Sequence, residues 1–153
     1  MTKNNSLKVV IGLLCLILIF ITGCSLFPDP KVRGSMQIEE RRKKVIAKAE
    51  EMVQADDSID IFVCNGNIYI NAEDIEWVNK LKPTLDQEAK LCEIKKFYEV
   101  GKPFEEYMAT KLPVGTRLFL SKERQGIIIT LVDGRQIYYL PFFPENYTTQ
   151  RRR

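Results

Sequence analysis

Apolar and polar positions recur with two different periods along this chain, and the change of period marks its elements. From Met36 to about Gln54 the residues Ile38, Val45, Ile46, Ala49, Met52 and Val53 recur at threes and fours, which predicts one long amphipathic helix with Ser35 as N-cap. Glu39–Lys43 and Glu40–Lys44 stand four apart in the favourable order, each worth about 0.3 kcal/mol. The period then drops to two. Ile59, Ile61 and Val63 share one strand face, Asn65-Gly66 is a hairpin turn, and Asn67 to Ile70 forms the returning strand.

Asn71-Ala72-Glu73-Asp74 reads as a capping box that opens a short helix through Leu81, with Ile75, Val78 and Leu81 as its stripe, Trp77 at the edge and Pro83 as the stop. Leu91 to Val100 reads as a third strand, and Gly101 to Pro113 carries no clear period. Leu112-Pro113-Val114-Gly115 fits a type I turn. Strands follow at Thr116–Ser121 and Gly126–Val132, and Asp133-Gly134 turns the chain into a last strand, Arg135–Leu140, ended by Pro141 and Pro144. This order predicts an α+β fold. One long N-terminal helix packs on a single antiparallel sheet of about five to six strands, with a short inserted helix.

The N-terminus changes the picture of where this domain resides. Met1 to Lys8 is polar and lysine-bearing, and Val9 to Ile21 is an apolar run only about 20 Å long as a helix. A bilayer core of about 30 Å needs ~20 apolar residues, so the run suits a signal peptide better than a span. Ile21-Thr22-Gly23-Cys24 follows directly and resembles the lipobox of bacterial lipoproteins. That resemblance implies cleavage between Gly23 and Cys24 and a diacylglyceryl group on the Cys24 sulfur. It places the protein on the outer face of the cell membrane, held by membrane lipid. The alternative is an uncleaved anchor with Cys24 as a plain thiol, which also leaves the chain at a membrane. Two acyl chains give stable anchoring where one is marginal.

The expected organisation is a signal peptide over 1–23, a lipidated cysteine and flexible stalk over 24–35, one α+β domain over 36–147, and a basic tail over 148–153. Asn65-Gly66 with Tyr69, Asp74-Ile75-Glu76-Trp77, Thr110 through Thr116, Asp133-Gly134 and Tyr139 together resemble small uncharacterised lipoproteins of Gram-positive spore-formers. The resemblance spans most of the mature chain, supports location and fold, and carries no catalytic residue across.

Composition removes several chemistries. The chain has no histidine, so histidine-based triads, general bases and metal sites are excluded. Of its 23 Lys and Arg, Lys3 and Lys8 precede Cys24 and Arg151, Arg152 and Arg153 end the chain, leaving 18 against 20 Asp and Glu between them. A body of that balance lacks the clustered cations that nucleic-acid binding requires. The run Arg41-Arg42-Lys43-Lys44 is flanked by Glu39, Glu40, Glu50 and Glu51 and reads as a solvated helix face. No phosphate-binding glycine loop, G-x-S-x-G elbow or S-x-x-K motif appears. The acidic run Asp56 to Asp60 lacks the glycine and distal glutamate of a calcium loop and reads as solvated.

Four cysteines are present; Cys15 lies in the signal and Cys24 in the lipobox, which leaves Cys64 and Cys92. Outside the membrane they can form a disulfide across neighbouring strands, adding about 3 kcal/mol by the chain-entropy model, or remain two buried thiols. Asp74, Glu76, Asp86 and Glu88 are the carboxylates from which an acid pair could be drawn. The aromatic residues Tyr138, Tyr139, Phe142, Phe143 and Tyr147, with Trp77, are the candidate interaction surface.

These features lead to an expectation of a membrane-anchored, non-enzymatic binding module without cofactor, metal or nucleic acid, whose partner is an envelope protein or peptide. The alternatives are a histidine-free carboxylate hydrolase of the envelope and a structural subunit of an envelope assembly.

Overall fold

The computed structural model describes residues 30–123 and 126–143. The chain forms two units, residues 1–39 and 40–153, and the described part of the first is the opening of helix α1 (Pro30–Ala55). This helix starts six residues ahead of the expected Met36. Proline has no N–H to lose in a first helical turn and arrives with a helical φ, so Pro30 can begin the helix inside the expected stalk. Residues 30–35 are therefore helix and not stalk; residues 1–29, with the signal and lipobox, lie outside the described residues, as do 144–153 with Tyr147 and the arginine tail.

Within the second unit the strands β1 (Ile61–Cys64) and β2 (Asn67–Asn71) form the expected hairpin, with Asn65 and Gly66 both at positive φ. Ile61 and Val63 point to one face, Phe62 and Cys64 to the other, and all four are buried. After β2 comes the short helix α2 (Glu76–Leu81). It begins later than the capping box implied, and its N-cap is Ile75, with no side-chain cap. Asn71 is instead the last residue of β2, paired with Tyr139, and its Oδ1 accepts the N–H of Glu73 at 2.9 Å in an Asx turn.

The remaining strands are β3 (Leu85–Glu93), β4 (Lys96–Phe97), β5 (Met108–Ala109), β6 (Arg117–Ser121), β7 (Ile128–Val132) and β8 (Arg135–Pro141). They make one sheet of eight strands in the order β3-β6-β7-β8-β2-β1-β5-β4. The α+β class holds, but the strand count exceeds five to six, and β4 pairs with β5 in parallel. Two-residue strands show no period in a sequence. The reach of β3 back to Leu85 was hidden by the charged run Asp86 to Lys90, which bulges against β6.

The topology bends the sheet. Strands β3 and β4 occupy its two ends, yet only Ile94 and Lys95 separate them in the chain. At that corner Ile94 bonds to Thr116 and Gly115 on the β6 side, while Lys95 and Lys96 donate to the Tyr107 carbonyl on the β5 side. One continuous segment thus serves both ends, so the sheet must curl. Its inner face packs Phe62, Tyr69, Cys92, Ile94, Leu112, Leu118, Ile128 and Tyr139. The Phe62 ring stacks on Tyr69 at 4.8 Å and meets Tyr139 edge-on at 5.0 Å.

The outer face is covered in two places. Ala49, Met52 and Val53 of α1 pack on Ile61, Val63, Ile68 and Met108. The α1 stripe is engaged from Val45 onward, while Ile38 is exposed. Val78 of α2 packs on Ile127, Ile129 and Leu140.

Cys64 and Cys92 are joined by a disulfide that closes 28 residues. The strands it links, β1 and β3, are not neighbours but lie at opposite ends of the run β3-β6-β7-β8-β2-β1. Asn65 Nδ2 donates to the Leu91 carbonyl at 3.3 Å beside it. The bond therefore crosses the inside of the curl. Replacing both cysteines with serine should lower the unfolding free energy by about 3 kcal/mol in urea titration, and dithiothreitol should lower the wild-type free energy by a similar amount while leaving the variant unmoved.

Candidate functional site

The outer face of the sheet beyond the two helices is the first candidate. Phe119 of β6 and Leu131 of β7 point outward, and among the described residues no helix lies over them. They floor two adjoining concavities of about 480 and 410 Å³ that also share Arg117. One wall is the turn Pro113–Thr116. Its hydrogen bond runs from Thr116 N–H to the Pro113 carbonyl, one residue later than the expected type I turn, with Gly115 at φ +88° in the third position. That geometry is type II, which needs a glycine there and leaves Val114 at the exposed tip, 60% accessible. The far wall is β3. Its bulge sets Leu85, Gln87 and Lys90 on the same side, all three lining the second concavity.

Electrostatics distinguish the two concavities of this groove. Lys90 Nζ lies 2.8 Å and Arg117 Nε 3.7 Å from the same Glu93 oxygen. The hydrogen bond from Lys90 holds the Glu93 carboxyl below the ordinary range, with smaller help from Arg117 and Lys95. One carboxylate is shared between the two cations that line the second concavity, so that concavity carries excess positive charge. The first concavity reaches Asp133 at the β7–β8 turn, where it shares the lining with Arg117.

A second constellation lies where β1, β2 and β8 meet. Asp60 accepts from Asn71 Nδ2 at 2.7 Å and from the Tyr139 hydroxyl at 3.0 and 3.1 Å. The Asn71 amide also reaches Glu73 at 3.4 Å, and Glu73 in turn pairs with Arg135. A single amide thus bridges two carboxylates. Burial pushes the Asp60 carboxyl above its ordinary value, opposed by the hydrogen bonds from Asn71 and Tyr139. Burial, and then the adjacent Asp60 charge, raise the Tyr139 phenol as well. Neighbours from within the chain hold both Asp60 and Glu73, so the cluster acts as a clasp joining the start of β1 to β2 and β8.

The structure disperses the aromatic residues expected to form one surface. Tyr139 is fully buried on the inner face and belongs to no surface. Tyr138 points the other way on the same strand, half-buried in the α2 cluster, and Phe142 is half-buried beside α1. Trp77 is 37% and Phe143 54% accessible, while Tyr147 lies outside the described residues. Alternation along β8 is the reason, since adjacent residues of a strand face opposite ways.

The expected carboxylates are spread over two elements, Asp74 and Glu76 at the head of α2 and Asp86 and Glu88 on β3. Glu76 pairs with Lys80, and Asp86 accepts the Glu88 N–H. No group of metal-ligating side chains is present among the described residues.

Sequence reasoning missed both constellations. The groove had a signal in Ile127-Ile128-Ile129 followed by Leu131, a strand apolar on both faces, so both faces require cover. Asp60 had none, standing at the end of an acidic run whose other members fit a loop.

Comparison with protein families, curated proteins and solved structures finds no match.

Because the raised Asp60 carboxyl binds its proton more tightly when folded, its contribution favours the native state at low pH and is lost as pH rises through the folded value. Denaturant titrations of wild type and Asp60→Asn should therefore diverge in the wild type's favour as pH falls from 7 toward 3.8, the ordinary aspartate value. Tyr139→Phe should cost about 1–2 kcal/mol at neutral pH by leaving Asp60 one donor short.

Proposed function

We propose that this chain is a membrane-anchored extracytoplasmic lipoprotein whose domain binds an envelope protein or peptide without catalysing a reaction. The observation that carries the binding reading is the contrast between the two covered outer patches and the groove over Phe119 and Leu131. An apolar sheet face rimmed by charge is a surface built for contact with another molecule. The interior supports the same reading, since the inside of the curl is filled by Phe62, Tyr69, Leu118 and Tyr139.

The location draws on different support. The Cys64–Cys92 bond suits an oxidising compartment outside the cytoplasm. No helix among the described residues is long and apolar enough to cross a membrane, so attachment in this reading rests on Cys24. A carboxylate hydrolase would draw on Asp60 and Glu73, but Asn71, Tyr139 and Arg135 already engage both.

The test is fractionation and crosslinking in the native cell. Wild type should enter the membrane fraction, with a mass showing Cys24 acylated and residues 1–23 absent. Cys24→Ala should lose the acyl mass and the crosslinks to its envelope partner. An unacylated wild type would refute the tether, and an absence of any specific crosslink in both chains would refute the binding role.

A further inference from the structure

The groove has more chemical definition than a bare apolar face, and its ligand class follows from what lines it. Phe119 and Leu131 offer an apolar floor between β6 and β7, and Val114 adds a raised apolar tip at one wall. Leu131 is 52% and Val114 60% accessible although both flank a folded sheet. Beside the floor, Lys90 and Arg117 share the single carboxylate of Glu93, so an incoming anion meets uncompensated positive charge next to apolar surface. Asp133 lines only the first concavity, beside Arg117, and there disfavours a second anion, whereas Lys90 and Arg117 are the charged residues lining the second.

We infer that the outer face of β3, β6 and β7 binds an acidic–apolar peptide segment of another protein, with apolar side chains over Phe119 and Leu131 and a carboxylate at Lys90 and Arg117. The inference rests on the binding-module reading and names its partner's chemistry. Charge complementarity selects an acidic segment over a basic one, because a lysine in the same place would face Arg117 and Lys90 at close range. The two concavities run side by side through their shared residues, which suits an extended segment that sets successive apolar side chains along the floor.

The experiment titrates the full chain in detergent micelles into a fluorescein-labelled decapeptide of alternating glutamate and leucine, read by anisotropy against protein-free micelles. A lysine–leucine decapeptide and a glutamate–serine decapeptide serve as comparisons. The expected result is saturable binding of the glutamate–leucine peptide alone, weakened at least about 10-fold by Leu131→Asp and by Arg117→Glu. Leu131 and Val114 are exposed, so Leu131→Asp and Val114→Asp keep the fold and both should weaken binding even if Arg117→Glu does not express. Val100→Asp, at an 87% accessible position outside the groove, should leave affinity unchanged.

Equal binding of the lysine peptide, no saturation by ~1 mM, or affinity within about twofold of wild type in Leu131→Asp would overturn the assignment. A concentration-dependent dimer abolished by Leu131→Asp would give the face to a second copy and overturn it too. If peptide binding fails while the cellular crosslinks persist, the groove assignment falls and the tethered module stands; loss of both removes both.

Discussion

Closure of the sheet through one short corner is the constraint on which the rest of this fold depends. The segment from Leu85 to Phe97 pairs with β6 along its first part and with β5 at its end, with only Ile94 and Lys95 between the two ladders. A flat sheet cannot place its first and last members two residues apart in the chain. Curling follows, and with it a concave side that must be filled and a convex side that must be covered or left open. The Cys64–Cys92 bond reinforces the same closure from inside, where β1 and β3 share no backbone ladder. Its stabilising effect comes largely from restricting the unfolded chain.

From closure come two kinds of polar arrangement. Where β1 enters the sheet, Asp60 is drawn into a partly buried position, and its charge is tolerated because Asn71 and Tyr139 supply donors. Tyr139 thereby has two tasks: its ring packs against Phe62 inside the curl and its hydroxyl reaches the rim. On the outer side, Glu93 lies between Lys90 and Arg117 in open solvent, where such pairs contribute little to stability. Their effect is local, as positive charge beside the apolar floor of Phe119 and Leu131.

The two helices divide the convex side unequally. Helix α1 covers the β1, β2 and β5 region and α2 the crossing of β7 and β8. Helix α2 has six residues, and its buried contact centres on Val78, so among the described residues no helix covers Leu131 at the far end of β7. Uncovered apolar surface is unfavourable in an isolated monomer, and its persistence beside a cationic rim fits a partner that supplies both the missing apolar cover and the opposite charge.

The sequence by itself determined the features whose causes are local. Both hairpin turns were legible, because Asn65-Gly66 and Asp133-Gly134 adopt the positive φ values that such turns require. The alternation through Ile61 and Val63 and the helical stripe from Val45 to Val53 were legible too, since each reports a face that must be buried. The expected tether at Cys24 rests on sequence alone. Tertiary structure decided everything that depends on distant residues meeting. Helix α2 waited until Glu76 because Asn71 was already committed to β2 and Asp60. The sharing of Leu85–Phe97 between both sheet ends has no local signature, and although Ile127-Ile128-Ile129 with Leu131 signalled a strand apolar on both faces, it did not show where a groove would remain. A period in the sequence shows that a face must be buried, but which distant element covers it is fixed only when the sheet closes.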